Sequence, residues 1–133
     1  MPWDSSPLAG FTTGQPWLPL GHDHASLNVV NLEQDPESIL HFYRTLIALR
    51  KSHPVLVTGE LLSIAAANNV LTYERYESGE KLRIILNFGD APATIPSQVS
   101  EILAATSPGC TSERPNKLIQ LGAAAGVIVR LCT

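Results

Sequence analysis

Lys81-Leu82-Arg83-Ile84-Ile85-Leu86-Asn87-Phe88 is the strongest strand signal in this chain of 133 residues. Successive side chains on a strand point to opposite faces of the sheet. One face of this run therefore gathers four apolar side chains, those of Leu82, Ile84, Leu86 and Phe88. Because only that register places four apolar side chains together, we predict that this face is the inner face of a sheet.

Shorter apolar runs separated by turn residues lie on both sides of this strand. Ser78-Gly79 is typical of the tip of a hairpin. Several short strands without helices between them indicate an antiparallel β-sandwich, which we predict for residues 54–133. The remaining predicted strands are 61–64, 71–76, 93–95, 101–104, 117–120 and 127–131.

One amphipathic helix is predicted over residues 36–52. Asp35 is a good N-cap and Pro36 suits the first helical position. Pro54 ends the helix, because the residue before a proline avoids the helical region. Apolar residues recur at spacings of three and four, which places them on one face. This face, called the helix stripe below, consists of Ile39, Phe42, Tyr43, Leu46 and Ile47.

Residues 1–35 are predicted to form a long loop. Their prolines and glycines leave neither a helical period nor a strand period. Three aromatic residues, Trp3, Phe11 and Trp17, argue against a free linker, since disordered segments are poor in aromatic residues. These rings either stack on a ligand that offers a flat apolar face or pack against neighbouring protein.

Composition excludes several classes of protein. The 9 Lys and Arg and the 12 Asp and Glu give a net charge of −3, without a basic block that would favour nucleic acid. No apolar run approaches the roughly 20 residues of a membrane-spanning helix. Cys110 and Cys132 are too few for a disulfide framework, so we expect a cytoplasmic protein.

The titratable residues of the loop form no recognisable catalytic pattern. We interpret Asp35 as a helix cap and Asp4 as part of a turn, so that no catalytic residue is predicted in the chain. His22-Asp23-His24 is interpreted as a solvated polar loop, because alternate residues in a loop define no metal geometry. Neither a metal nor a cofactor is therefore expected.

Several runs in the first 60 residues are specific enough to indicate a family. They are Trp3-Asp4-Ser5-Ser6-Pro7, Ala9-Gly10-Phe11-Thr12-Thr13-Gly14, Pro16-Trp17-Leu18-Pro19, Asn28-Val29, Asp35-Pro36-Glu37-Ser38-Ile39-Leu40, Phe42-Tyr43-Arg44 and Leu46-Ile47-Ala48-Leu49-Arg50-Lys51, followed by Pro54. With these runs the chain resembles the α-glucosidases and oligo-1,6-glucosidases of glycoside hydrolase family 13. Looser matches at Leu71-Thr72-Tyr73-Glu74-Arg75 and Leu86-Asn87-Phe88 are similar to the carboxyl-terminal β-domain of the same family.

The resemblance implies a particular architecture. Residues 1–53 would be the last loop and last helix of a truncated (β/α)8 barrel, and residues 54–133 the α-amylase-type carboxyl-terminal β-sandwich. The nucleophilic Asp, the acid/base Glu and the second Asp of the family come from earlier barrel strands, ahead of Met1. Whether Met1 is a true start or an internal residue is left open.

The expected function is that of a carboxyl-terminal fragment of an α-glucosidase, an enzyme that hydrolyses α-glucosidic bonds in short oligosaccharides with retention. The fragment itself would be an inactive accessory part. It would place Trp3, Asp4 and Phe11 at the rim of the substrate site of the intact enzyme, and its helix stripe would meet the missing barrel or a second copy. The alternatives are a free-standing carbohydrate-binding sandwich and a protein-interaction sandwich.

Overall fold

The computed structural model describes residues 1–107, 110–113 and 118–132, of which residues 111–113 are described by their backbone alone. The chain divides into an amino-terminal unit, Met1–Leu46, and a carboxyl-terminal unit, Ile47–Thr133. The domain boundary predicted at residues 53 and 54 stays a prediction. No helix among the described residues is long and apolar enough to cross a membrane.

The amino-terminal unit contains a helix where only loop was predicted. Helix α1 covers Val29–Gln34. Asn28 is its N-cap: the side-chain Oδ1 accepts the backbone N–H of Asn31 at 3.0 Å, and the residue is only 1 % exposed. The prediction that all of residues 1–35 form a loop was therefore wrong. A helix of 6 residues is too short to display a 3.6-residue period, and only its cap marks it in the sequence.

The second helix, α2, covers Ile39–Ser52 and so begins three residues later than predicted. Asp35 does not cap it, because its Oδ1 accepts the backbone N–H of Glu37 at 3.0 Å in a separate turn. Ser38 takes the N-cap position, where its Oγ accepts the N–H of His41 at 3.4 Å. The predicted end of the helix before Pro54 is confirmed.

The carboxyl-terminal unit consists mainly of antiparallel strands, as predicted. The five-stranded sheet has the order β1-β2-β3-β8-β5 and the three-stranded sheet the order β4-β7-β6. The strands are β1 Glu60–Ala67, β2 Val70–Glu77, β3 Glu80–Asn87, β4 Ala93–Pro96, β5 Val99–Ala105, β6 Thr111–Glu113, β7 Leu118–Leu121 and β8 Gly126–Leu131. Each predicted strand overlaps one of these, although Lys117 of the predicted 117–120 strand lies outside the described residues.

Two tight turns organise the first three strands. The predicted hairpin tip at Ser78-Gly79 is confirmed, with both residues at positive φ (49° and 86°). Asn68 and Asn69, at φ 50° and 62°, form the equivalent turn between β1 and β2. Paired positive φ angles match the twist of the strands in a two-residue hairpin, and Asn tolerates them well. The Asn68-Asn69 turn was missed in the sequence, as was β6.

The core of the carboxyl-terminal unit is formed by residues of both sheets. Ile85 of β3 is fully buried together with Val127 and Val129 of β8, and Ile119 and Leu121 of β7 belong to the same cluster. The five-stranded sheet therefore uses the face of Ile85 for this core. The predicted inner face of Leu82, Ile84, Leu86 and Phe88 was wrong in this respect, and Phe88 is 71 % exposed.

Strand β3 is nevertheless buried on its other face as well. Leu82 and Ile84 are 0 % and 6 % exposed. A 3-10 turn at Pro54–Leu56 contacts β2 and β3, and its Val55 is buried. Arg75 of β2 holds this segment, because its guanidinium donates to the carbonyl oxygen of Val55 at 3.2 Å. A strand in the middle of a covered sheet is buried on two faces, so alternation identifies neither face as the core.

Substitutions at Ile85 and Phe88 test which face of β3 lies in the core shared by the two sheets. Replacing Ile85 by Ala should cost about 2 to 5 kcal/mol in the free energy of unfolding, as large-to-small changes in a core do. Phe88→Ala should cost less than about 1 kcal/mol, because the ring is exposed. Urea denaturation followed by circular dichroism measures both. A larger loss for Phe88→Ala would contradict the observed register.

Candidate functional site

The segment from Trp3 to Phe11 closes on itself through backbone hydrogen bonds. The N–H of Trp3 donates to the carbonyl oxygen of Ala9 at 2.8 Å, and the N–H of Phe11 donates to that of Leu8 at 3.1 Å. Ala9 is fully buried, whereas the rings of Trp3 and Phe11 are 49 % and 60 % exposed. The loop is thus ordered by its backbone and presents both aromatic rings at its surface.

Asp4 stabilises this loop. Its Oδ1 accepts the backbone N–H of Ser6 at 2.9 Å. Hydrogen bonds from the side chain and then the backbone of Ser6 lower the pKa of the Asp4 carboxyl below its ordinary value. A carboxyl group held ionised in this way is unsuited to donate a proton as a general acid. The structure thus agrees with the interpretation of Asp4 as a turn residue.

Gly10 is required by the same turn. Its φ of +62° lies in the left-handed region, and a Cβ at this position would meet Asp4 Oδ2 at 2.6 Å. Ala9 is also at positive φ, 54°. Two consecutive left-handed residues, one of them beside the Asp4 carboxylate, leave glycine as the residue that fits without strain.

Helix α1 is connected to this loop at its N-terminus. The N–H groups of Val29 and Val30 donate to the carbonyl oxygens of Pro2 and Trp3, at 3.2 and 3.0 Å. The first N–H groups of a helix have no partner within the helix, and here the start of the chain supplies it. The Asp4 turn and α1 therefore form one hydrogen-bonded substructure that fixes the backbone of Trp3.

A pocket of about 250 Å³ lies beside this substructure, and we call it the Phe11/Trp17 pocket. Of the predicted rim residues, only Phe11 lines it; Trp3 and Asp4 do not. Trp17 is 89 % exposed. The pocket is lined by Met1, Pro2, Phe11, Pro16, Trp17, Leu18, Pro19, Leu20 and Gly21.

Three further titratable groups of the amino-terminal unit, Glu33, Arg44 and His24, are engaged locally. Glu33 pairs with Arg44 at 2.7 Å. His24 lies in a turn, where its Nδ1 is 2.8 Å from the carbonyl oxygen of Gly21. Among the residues that the structure describes, no three His, Cys, Asp or Glu side chains are grouped so as to hold a metal ion.

The carboxyl-terminal unit has a charged groove of about 590 Å³ at one end of its larger sheet. Glu80 accepts from His53 Nδ1 at 2.9 Å and from Arg130 Nη2 at 3.1 Å, and Arg130 also pairs with Glu101. Glu80 and Arg130 of the groove thus each have a partner of opposite charge. We interpret this network as a structural connection between β3, β5, β8 and the segment that precedes the sheet.

A second ion pair is buried on the core face of the larger sheet. Glu74 of β2 is 5 % exposed and accepts from Arg83 Nε of β3 at 3.0 Å, with Lys81 Nζ 3.4 Å away. Burial alone would raise the pKa of Glu74, but the hydrogen bond and charge of Arg83, together with Lys81, lower it overall. Arg83 also donates to Ser97 Oγ at 3.1 Å.

The helix stripe is largely uncovered. Ile39, Tyr43 and Ile47 are 65 %, 61 % and 52 % exposed, and none of the residues of α2 is buried. Scattered apolar residues on a surface are ordinary, but a continuous apolar face on one helix marks a surface that contacts other protein. This surface and the Phe11/Trp17 pocket are the two candidate sites of the amino-terminal part of the chain.

The sequence is similar to known families and proteins. Residues 1–59 match the family described as α-amylase, catalytic domain. A probable α-glucosidase of Rhizobium meliloti is 32 % identical over 98 % of this chain and 24 % of its own length. An oligo-1,6-glucosidase of Parageobacillus thermoglucosidasius is 38 % identical over 68 % of the chain and 16 % of its own length. A trehalose-6-phosphate hydrolase of Bacillus subtilis is 34 % identical over 74 % of the chain and 18 % of its own length.

The fold is similar to that of solved enzymes. The trehalulose synthase MutB from Pseudomonas mesoacidophila superposes with a TM-score of 0.89 at 30 % identity, over 97 % of this chain and 24 % of that one. The chain thus spans about a quarter or less of the length of the proteins that it matches.

Gly10→Ala tests whether the Asp4 turn orders the loop. The new methyl group would meet the Asp4 carboxylate and hold alanine at positive φ, so the loop should lose about 1 to 3 kcal/mol of local stability. Hydrogen exchange at the Trp3 amide should accelerate accordingly. Gly14→Ala is the matched control, since a Cβ there has only Thr12 Oγ1 nearby, at 3.9 Å. Equal exchange in both variants would contradict the assigned turn.

Glu74→Gln tests the buried ion pair through its pH dependence. The pKa of Glu74 is lower in the folded state than the ordinary value of 4.5, so its stabilisation is present above about pH 4.5 and is lost as the pH falls through the folded pKa. The variant should be about 1 to 3 kcal/mol less stable at neutral pH, with the difference shrinking in acid. Urea unfolding between about pH 3 and pH 7, where carboxylates become protonated, measures this stability difference. Glu60→Gln, at an exposed position of β1, is the control and should change the stability at neutral pH by less than about 0.5 kcal/mol.

Proposed function

Since this chain belongs to the α-amylase family of glycoside hydrolases, as its first residues indicated, we propose that it forms the carboxyl-terminal part of a retaining α-glucosidase. The whole enzyme would hydrolyse α-glucosidic bonds in short oligosaccharides. Probable α-glucosidase and oligo-1,6-glucosidase are the names of two relatives that support this proposal. A cytoplasmic location is part of the same proposal.

The architecture of the proposed fragment follows from its two units. Residues 54–133 would be a β-sandwich, which is supported by a core that draws on both sheets. Residues 1–53 would be the last loop and last helix of a (β/α)8 barrel. This second part is supported by the match of residues 1–59 to the α-amylase catalytic domain.

The role of the fragment in that enzyme would be structural. Retaining hydrolysis needs two carboxyl groups about 5 to 5.5 Å apart. In the amino-terminal unit Asp4 and Asp35 are committed to turns and Glu33 to an ion pair. The reacting carboxyl groups would come from the rest of the barrel, while Trp3, Asp4 and Phe11 would form part of the substrate rim, with Asp4 fixing the loop.

The exposed helix stripe is the observation that carries this proposal. Three of its apolar side chains are more than half exposed on a helix that matches a catalytic-domain segment. Burying such side chains contributes roughly 1.5 to 3 kcal/mol each. The partner that would cover them is the remaining barrel, and in its absence a second copy of the chain would compete for the same face.

The relatives leave the charge of the substrate open. The name of the Parageobacillus enzyme specifies an α-1,6-linked oligosaccharide, whereas that of the Bacillus subtilis relative specifies a phosphorylated disaccharide. Both relatives are similar to this chain at comparable identity. The names of these two relatives therefore support a neutral and a phosphorylated class of substrate for the whole enzyme.

Complementation tests the proposed function. The isolated chain should hydrolyse no aryl α-glucoside above a buffer control, and activity should appear when it is co-expressed with an α-glucosidase barrel truncated before the matching segment. Ile47→Glu should lower this activity about tenfold or more, because it buries a charge in the contact. Ala48→Glu adds the same charge at an exposed position off the stripe and should complement normally.

Two results would contradict the proposal. Turnover by the isolated chain would show that it holds its own catalytic groups. Complementation by Ile47→Glu as efficient as that by Ala48→Glu would show that the helix stripe does not meet the barrel.

A further inference from the structure

We propose that Asn28 and Ser38 are positioning residues of the substrate rim, which fix the Asp4 turn relative to α2 by holding the two ends of α1. The proposal rests on the proposed function, because it takes Trp3 and Asp4 to lie at the rim of the intact enzyme. Neither Asn28 nor Ser38 would touch the substrate. They would act through the backbone of Trp3, so that the position of α2 determines the position of the rim.

Burial distinguishes these two side chains from the rest of their unit. In Met1–Leu46, all of whose residues the structure describes, three residues are buried: Ala9, Asn28 and Ser38. Asn and Ser side chains are mostly exposed in proteins, and their burial is tolerated when their hydrogen bonds are satisfied. The order of this unit therefore depends on the hydrogen bonds that Asn28 and Ser38 make.

Side chains from the start of α2 hold the carboxyl-terminal end of α1. Ser38 Oγ donates to the carbonyl oxygen of Leu32 at 2.7 Å, and His41 Nε2 donates to that of Glu33 at 3.0 Å. The last carbonyl groups of a helix have no partner within the helix, and here α2 supplies partners for two of them. Because Ser38 Oγ also accepts the N–H of His41, one hydroxyl group joins the two helices.

Asn28 holds the amino-terminal end of α1. Its Nδ2 donates to the carbonyl oxygens of His24 and Ala25, both at 3.1 Å, while its Oδ1 caps the helix. The two residues that follow it donate their N–H groups to carbonyl oxygens at the start of the chain, including that of Trp3. The cap and the attachment of the Asp4 turn are therefore made by adjacent residues.

The shortness of α1 couples its two ends. The helix has 6 residues, none of them buried, and an isolated helix of fewer than about 12 residues is marginal in water. Contacts at the two ends are thus what stabilises it. Loss of the Ser38 hydrogen bond at one end should weaken the whole helix, and with it the bond that the Trp3 carbonyl oxygen accepts at the other end.

Hydrogen exchange on the full chain tests this coupling. Ser38→Ala should accelerate exchange at the amides of Val30 and Trp3 about tenfold, because a buried carbonyl group loses its partner. Ser52→Ala is the matched control, since Ser52 Oγ also donates to a carbonyl oxygen, that of Leu49 at 3.0 Å, within α2 itself. This control should leave exchange at both amides within about twofold of the original.

Tryptophan fluorescence gives an independent readout of the rim. Trp17→Phe leaves Trp3 as the one tryptophan of the chain, and Trp17 is exposed, so that its replacement should not disturb the fold. In this background Ser38→Ala should shift the emission of Trp3 to longer wavelength and increase its quenching by acrylamide. Ser52→Ala should change neither.

Kinetics of the complemented enzyme separate positioning from a general loss of folding. Ser38→Ala should raise KM for an aryl α-glucoside about threefold or more and leave kcat within about twofold, since a displaced rim weakens binding while the catalytic carboxyl groups stay in place. Asn28→Ser keeps a capping oxygen but loses both Nδ2 donors, and should raise KM likewise. A variant that only folded less well would lower the apparent kcat at constant KM.

Three outcomes would overturn the proposal. They are equal exchange at Trp3 in Ser38→Ala and Ser52→Ala, acceleration confined to α2, which would make Ser38 a local cap, and a lower kcat at constant KM. Failure of the unchanged chain to complement the barrel would instead count against the proposed function. Exchange and fluorescence are measured on the isolated chain, so they decide the coupling by themselves.

Discussion

Burial of β3 on both of its faces is the constraint on which the carboxyl-terminal unit depends. Ile85 packs into the core shared with the three-stranded sheet, while Leu82 and Ile84 are buried on the opposite face near the 3-10 turn. A slip of one residue would exchange the two faces, placing Arg83 where Leu82 now lies. The order of the larger sheet follows from this, because a strand buried on both faces needs partners at both edges, and β2 and β8 supply them.

Polar groups fix the same register from within the core. Arg83 lies on the face of Ile85 and connects Glu74 of β2 with Ser97 beyond β4. Asn87, at the end of β3, donates to the carbonyl oxygens of Ala91 and Gly122 at 2.9 and 2.7 Å. Buried polar groups are tolerated only when their hydrogen bonds are satisfied, so these contacts would be lost in any other register. These polar residues interrupt the hydrophobic pattern of the sequence, and in the structure they make the register of β3 specific.

The amino-terminal unit is ordered by different means. Its backbone is held by the Asp4 turn and by carbonyl groups that cap α1, so the loop needs few buried side chains to keep its shape. Its aromatic and apolar side chains consequently remain at the surface, in the helix stripe and around the Phe11/Trp17 pocket. A surface that binds a partner has to be exposed and at the same time ordered, because preorganisation lowers the free-energy cost of binding.

The sequence by itself determined most of the strands, although not β6, together with the end of α2, the hairpin at Ser78-Gly79 and the resemblance to the family. These features depend on local alternation, proline and short specific runs. Only the tertiary structure decided that Ile85 faces the shared core, that Phe88 is exposed, that Arg83 belongs to a buried ion pair, and that Phe11 and Trp17 share a pocket while Trp3 does not. A sequence pattern records which side chains share a face. Which face is covered depends on elements distant in the chain, and local periodicity carries no information about them.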